Sequence, residues 1–264
     1  MDSSNGSLNH LPRAIAFVDK TEGGGSGAVL LSFEDGVKRV TKLLGNGQDG
    51  NGPVQFVLVN ELVVARLAAI LDAPCPNGRA VWVDEPYVDQ ARHEVSNLTQ
   101  ARPGPAFGRA WVEGTFSPSA DTCREALNRS ALAGLIVLYT WTWNTDFKSD
   151  HLAVRQADNG GVEVLGLDHG HCFNNNWSDE IREHVPEVLP CNPLDLVVTY
   201  RDLQPYLDNL IGLSAGDVMT ATSSIPIAWG VGDQARSDVH SPRSWRSKTS
   251  RSGTPSCTLM TLGE

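Results

Sequence analysis

Apolar and polar positions alternate in short runs near the N-terminus and settle into helical spacings further along. Ala14 to Val18, Ala28 to Phe33 and Val37 to Leu43 have strand length, the last two joined by the turn Glu34-Asp35-Gly36. Val54 to Leu71 carries apolar residues at 54, 57, 58, 62, 65, 68 and 69, which predicts an amphipathic helix. Arg79 to Val83 returns to a strand pattern, and Asp84-Glu85-Pro86-Tyr87 follows it. Arg102-Pro103-Gly104-Pro105 breaks regular structure, so Leu98 to Phe116 reads as loop-rich. Leu127 to Trp143 predicts a buried helix, with Trp141 and Trp143 packed in the core. Leu152 to Val154 and Val162 to Leu167 flank the turn Asp158-Asn159-Gly160-Gly161 and predict a hairpin. Thr199 to Leu213, with Leu203, Leu207, Leu210 and Ile211 in register, predicts a further helix, and Ser214 to Val218 begins another.

The hairpin gives the chain its most informative juxtaposition. Trp143-Asn144-Thr145-Asp146-Phe147-Lys148-Ser149-Asp150-His151 enters it and Asp168-His169-Gly170 leaves it, so Asp146 and Asp168, 22 positions apart in sequence, come to one edge. Phosphoryl transfer needs two such carboxylates, one to orient or deprotonate an acceptor hydroxyl and one to hold a divalent metal against nucleotide phosphates.

The order Asn-Thr-Asp, hairpin, Asp-x-Gly resembles the paired loops of the HipA-like kinases and their phosphatidylinositol-kinase relatives. Those families write the first loop as Asp-Arg-His-x-x-Asn. Here Phe147 and Lys148 stand where Arg and His would be, and His151 replaces the metal-binding Asn. Imidazole suits softer transition metals than a carbonyl oxygen does, and Asp150 beside it offers the missing oxygen. The resemblance implies Asp146 as the residue that accepts the hydroxyl proton and Asp168 as the Mg²⁺ ligand, with His151 or Asp150 as the second. Asn144 would hold the loop backbone, and Lys148 would take a transition-state charge role.

The N-terminal third offers a separate test. Thr21-Glu22-Gly23-Gly24-Gly25-Ser26-Gly27 lies between two strand runs and has little side chain to obstruct phosphates. Lys42 lies on the next strand run, and Glu61 falls inside the apolar stripe of the first helix, where an unpaired carboxylate would be costly. By resemblance, Lys42 contacts nucleotide phosphates braced by Glu61, and Gly23, Gly24, Gly25 and Ser26 cover them. Asn60-Glu61, Pro74-Cys75-Pro76 and Ile225-Pro226-Ile227-Ala228-Trp229-Gly230 are similar to further family segments. The similarity spans roughly residues 14 to 232. It implies an α+β, two-lobed protein-kinase-like fold: a small, mainly antiparallel β lobe with one helix, and a larger, mainly helical lobe. The expected boundaries are a polar leader at 1–11, a small lobe at about 12–88 and a large lobe at about 89–232. Asp84 to Tyr87 would form the hinge, and a disordered Ser/Arg-rich tail would occupy 233–264.

Charge and cysteine usage narrow the function class. The net charge is −10, and residues 233–264 carry five Lys/Arg against three acids, so the remainder carries −12. That acidity disfavours broad nucleic-acid binding, because phosphate neutralisation supplies most non-specific affinity. The five cysteines form no Cys-x-x-Cys pair, no apolar run reaches membrane-spanning length, and Met1 to His10 lacks a signal-peptide pattern, which together suggest a cytoplasmic enzyme.

The expected activity is an ATP- and Mg²⁺-dependent kinase, with Mn²⁺ as an alternative ion. The acceptor is an unidentified protein serine or threonine or a small molecule, and the resemblance leaves room for an antitoxin-like partner. Two other readings stand beside it: a pseudokinase-type binding module, favoured by His151, and a metal-dependent hydrolase using His151, Asp168, His169 and His171, with the His-x-His pair facing one metal.

Overall fold

The computed structural model describes residues 10–21, 27–144, 146–173, 177 and 199–230 of the chain. Five strands, β1 (Ala14–Lys20), β2 (Val29–Phe33), β3 (Lys38–Leu44), β4 (Gly78–Val83) and β5 (Arg102–Ala110), form one antiparallel sheet in the order β1-β2-β3-β5-β4. A separate two-stranded sheet pairs β6 (Leu152–Gln156) with β7 (Val162–Gly166).

Strand β5 occupies the stretch that its prolines mark as a loop. In its register with β3, Lys42 faces Phe107 but Leu44 faces Arg102, so Pro103 to Ala106 bulge out of that ladder. The prolines, which have no N–H to give, sit where β3 asks for none. On the other side β5 keeps an unbroken register with β4, including Trp82 opposite Pro105. The sheet therefore extends to Ala110, past the lobe boundary expected near residue 88.

Asp84 to Tyr87, expected to link the lobes, instead open helix α2 (Glu85–Glu94), with Asp84 as N-cap and a proline in the first turn. Trp82 Nε1 and Arg13 both donate to Asp84 Oδ1, which ties this corner to the sheet. The chain crosses to the hairpin further on: Trp111 N bonds Lys38 O, and Phe116 exchanges both backbone bonds with Val154.

Helix α1 (Phe56–Leu71) is the central column of the molecule. Its spacing suggests one apolar face, yet twelve of its sixteen residues are buried, because the sheet covers one side and the helical part the other. No side chain of its own caps it; Asp49, from the preceding loop, accepts from Val57 N at 3.0 Å.

The helical part comprises α3 (Ala120–Glu125), α4 (Leu132–Trp141), α5 (Tyr200–Gly212) and α6 (Ala215–Thr222). Helix α4 approaches α5 closely at Gly134, where a Cβ would lie 2.6 Å from the Tyr206 ring. Trp141 packs against the core, whereas Trp143 adopts φ +50° and is 37% exposed, because the chain reverses there into the Asp146 loop. At the far end, Trp229 is fully buried: its Nε1 donates to Pro105 O at 2.9 Å and its carbonyl accepts from Gln55 N at 2.9 Å. Gly230 follows at φ +79°, with any Cβ 1.8 Å from Pro53 O, so only glycine fits. Residues 233–264, expected to be a tail, lie outside the described residues, and no helix among those described is long and apolar enough to cross a membrane.

Candidate active site

Three elements meet at one ammonium. Lys42 of β3 is buried; its Nζ lies 2.5 Å from Glu61 Oε1 on α1 and 3.0 Å from Asp168 Oδ1, just beyond β7. Burial disfavours the ammonium, but the two carboxylates outweigh it and raise the Lys42 pKa above the ordinary lysine value. Asp168 is held far below the usual carboxylate range. Burial opposes that shift, while Lys42, His151 and the Gly170 N–H at 3.1 Å drive it. Glu61 moves the other way, pushed up by burial against the pull of Lys42. One cation thus faces two carboxylates, and protonated Lys42 opposite ionised Asp168 is the dominant charge arrangement.

The segment after β7 is gripped from α1. His169 N points at Glu61 Oε1 at 3.3 Å, and Asn60 Nδ2 donates to Gly170 O at 2.8 Å and Cys172 O at 2.9 Å. His169 itself turns inward, its ring 5.6 Å from Tyr139, and burial lowers its pKa to about 3, leaving a neutral imidazole.

At the other end of the hairpin, Asn144 Oδ1 accepts from Asp146 N at 3.1 Å, and Asn144 N bonds Tyr139 O, so the end of α4 anchors the loop. Asp146 Oδ2 stands 3.3 Å from Lys148 Nζ, 3.7 Å from His151 Nε2 and 3.9 Å from His171 Nε2. His171 also meets Gln48 Nε2 at 2.9 Å, in the loop that caps α1. Burial lowers the His151 pKa against the raising fields of Asp168 and Asp146, which leaves its ring neutral. Its Nδ1 is buried without a hydrogen-bond partner among the described residues. Asp150 is 71% exposed and 4.0 Å from Lys148.

Lys42, Glu61 and Asp168 are therefore in direct contact, while Asp146, Lys148 and His151 form a looser group linked to Asp168 through the field at His151. Gly23, Gly24, Gly25 and Ser26 lie outside the described residues. Among the described residues no three His, Cys, Asp or Glu side chains are gathered to hold a metal ion. The hydrolase cluster expected of His151, Asp168, His169 and His171 does not form. Residues 168–169 have left strand β7 and 170–171 form a turn, so the alternation of a strand is lost: His169 enters the core and His171 faces Asp146. A phosphate-chelated cation needs fewer protein ligands, and the partly exposed Asp168 carboxylate offers an oxygen to one.

No protein-family model matches this sequence, and no curated protein matches it. Among solved structures, the Helicobacter pylori proinflammatory kinase CtkA aligns over 89% of this chain and 95% of its own, with a TM-score of 0.53 at 11% identity. The fold is two-lobed and protein-kinase-like. Two structures of the Golgi casein kinase, one with Mn/ADP bound, align with 88% of this chain and 71% of theirs at TM-scores of 0.44 and 0.41 and identities of 11% and 12%.

Sequence reasoning missed two features of this site. Asn60 was visible only as part of an Asn-Glu pair, and the crossing at Trp111 to Phe116 was hidden behind the prolines of β5. A buried polar residue beside Glu61 within an apolar helix was the available signal for the first.

Proposed function

We propose that this chain is a phosphotransferase, similar in plan to the HipA-like kinases, that moves the γ-phosphoryl group of ATP to a hydroxyl. The observation that carries this reading is the meeting of Lys42, Glu61 and Asp168, which come from a strand, a helix and the exit of a hairpin. Lys42 would neutralise nucleotide phosphates, and Glu61 keeps its ammonium aimed. Asp168, with His151, would hold Mg²⁺ or Mn²⁺, which would supply charge neutralisation at the transferring phosphate. Asp146, partly exposed and 3.3 Å from Lys148, would orient the acceptor hydroxyl and take its proton, with Lys148 free to turn toward developing negative charge. Asn144 fixes the backbone that presents Asp146. Asp150, by its exposure, is the weaker choice for the second ligand.

The test is transfer from γ-labelled ATP into protein of a cell lysate by wild type, Asp146→Ala and Asp168→Ala. Labelling by wild type that falls by about 10²-fold or more in either variant is the expected result. Labelling equal in all three would refute the assignment.

A nucleotide-binding module without turnover is the second reading, favoured by the imidazole of His151 standing where the family carries an amide. ATP binding and transfer measured side by side in Mg²⁺ and Mn²⁺ separate the two. Binding in either ion with transfer in neither selects the module.

A further inference from the structure

Asn60 is fully buried on α1, in a helix that is otherwise nearly all apolar, where an amide costs helix propensity and desolvation unless every polar atom is met. It is met on both sides: Nδ2 donates to Gly170 O and Cys172 O, and Oδ1 accepts from Trp177 Nε1 at 2.7 Å. Glu61, the next residue, takes Lys42 on one side and the His169 amide on the other. Two adjacent side chains of one helix turn therefore hold both the lysine and the chain that follows Asp168.

We infer that Asn60 is a positioning residue: it fixes Asp168 at its distance from Lys42 by tying the Gly170–Cys172 backbone to α1, so that the helix and the Asp168 loop move as one body. The inference rests on the phosphotransferase reading for its functional meaning and on hydrogen bonds alone for its mechanics. Among the described residues the Gly170 amide and Lys42 orient Asp168 Oδ1, and the Gly170 peptide is itself held by Asn60. Freed of that hold, Asp168 would still attract Lys42 but would no longer present its carboxylate in one place to a cation. The Lys42–Glu61 pair does not pass through Asn60 and would persist.

The signature is thus a selective loss of metal linkage. ADP affinity of the full chain is measured with EDTA, with Mg²⁺ and with Mn²⁺, in wild type, Asn60→Leu and Trp177→Phe. Amide hydrogen exchange is followed at 170–173 and along α1. Asn60→Leu keeps the branched shape, though with more bulk, and removes both donors and the acceptor; it is expected to lose about tenfold of the metal enhancement while metal-free affinity stays within about threefold. Exchange at 170–173 should quicken while α1 stays protected. Trp177→Phe removes the indole donor with part of the ring but leaves both Asn60 donor bonds, and should keep the metal enhancement within about threefold. Asn60→Ser replaces Asn60→Leu if the latter does not fold.

Parallel loss of affinity with and without metal, together with faster exchange along α1, would show a merely structural amide and overturn the inference. So would an unchanged metal enhancement, or 170–173 exchanging at the wild-type rate. A wild-type chain that binds no nucleotide in any condition would bring down the phosphotransferase reading instead, and the exchange data would still decide whether the tether exists.

Discussion

At one end of the candidate site Lys42 is locked between Glu61 and Asp168 at 2.5 and 3.0 Å, whereas at the other Asp146 stands 3.3 to 3.9 Å from Lys148, His151 and His171. Burial accounts for the contrast. Glu61 is 1% exposed and would be strongly destabilising without its cation, so folding itself closes that end. Asp146 keeps contact with water and gains little from any one neighbour. The buried Lys42–Glu61 pair is thus fixed by folding, while Asp146 is left open to solvent.

The sharpest way to break this contrast is kinetic. Asp146→Asn should cut transfer by about 10²- to 10⁴-fold with ADP affinity almost unchanged. Asp168→Asn should abolish both transfer and the metal enhancement of binding; single-turnover rates beside titration calorimetry would read the split. If both variants lost binding alike, the two ends would be one.

Next in size is stability. Lys42→Met removes the ammonium that Glu61 and Asp168 share and should cost about 3–5 kcal/mol. Lys148→Met, in the open group, should cost less than about 1 kcal/mol. Urea denaturation of both variants checks this, and equal losses would erase the distinction.

Much of the closed end was legible in the sequence, for a physical reason. Strand and helix periods place Lys42 and Glu61, and the turn at Asp158 to Gly161 fixes the hairpin; all of these depend on neighbours a few residues apart. The bonds from Asn60 to Gly170 and Cys172 span 110 and 112 positions and leave no periodic trace. Strand β5 was misread because Pro103 and Pro105 are breakers by local chemistry, and the bulge that excuses them exists only beside β3. Asp84 to Tyr87 open a helix between two strands of one sheet, and the backbone contacts to the hairpin come after β5. Asp146 was legible by its order in the chain, but its loose surroundings were not, because exposure is a property of the folded surface.

A smaller effect comes from pH. His169 is buried neutral with its pKa lowered to about 3, so the unfolded chain takes up a proton near the ordinary histidine value that the folded chain refuses. Stability should therefore fall as pH drops from the unfolded histidine value toward the folded one, at up to about 1.4 kcal/mol per pH unit from this group. His169→Gln should flatten that slope by one proton, as urea midpoints at a series of pH values would report. A slope unchanged by the substitution would assign the acid sensitivity elsewhere.

The finest test is salt. The Asp146–Lys148 coupling in a double-mutant cycle should be about 0.2–1 kcal/mol and shrink at about 1 M salt, while that of Lys42 with Asp168 persists. Coupling energies that respond to salt alike would place both pairs in the same solvent.

The contact between Trp229 and Pro105 has a consequence for how the protein is made. Its partners are 124 positions apart, and Gln55, at the start of α1, waits for the same residue. At about 5–20 residues per second of synthesis, roughly 6 to 25 seconds pass between emergence of the β5 carbonyl and arrival of the indole that covers it. Through that interval the nascent sheet keeps an unfilled slot that a chaperone could cover, and the first-made lobe cannot close until the indole arrives.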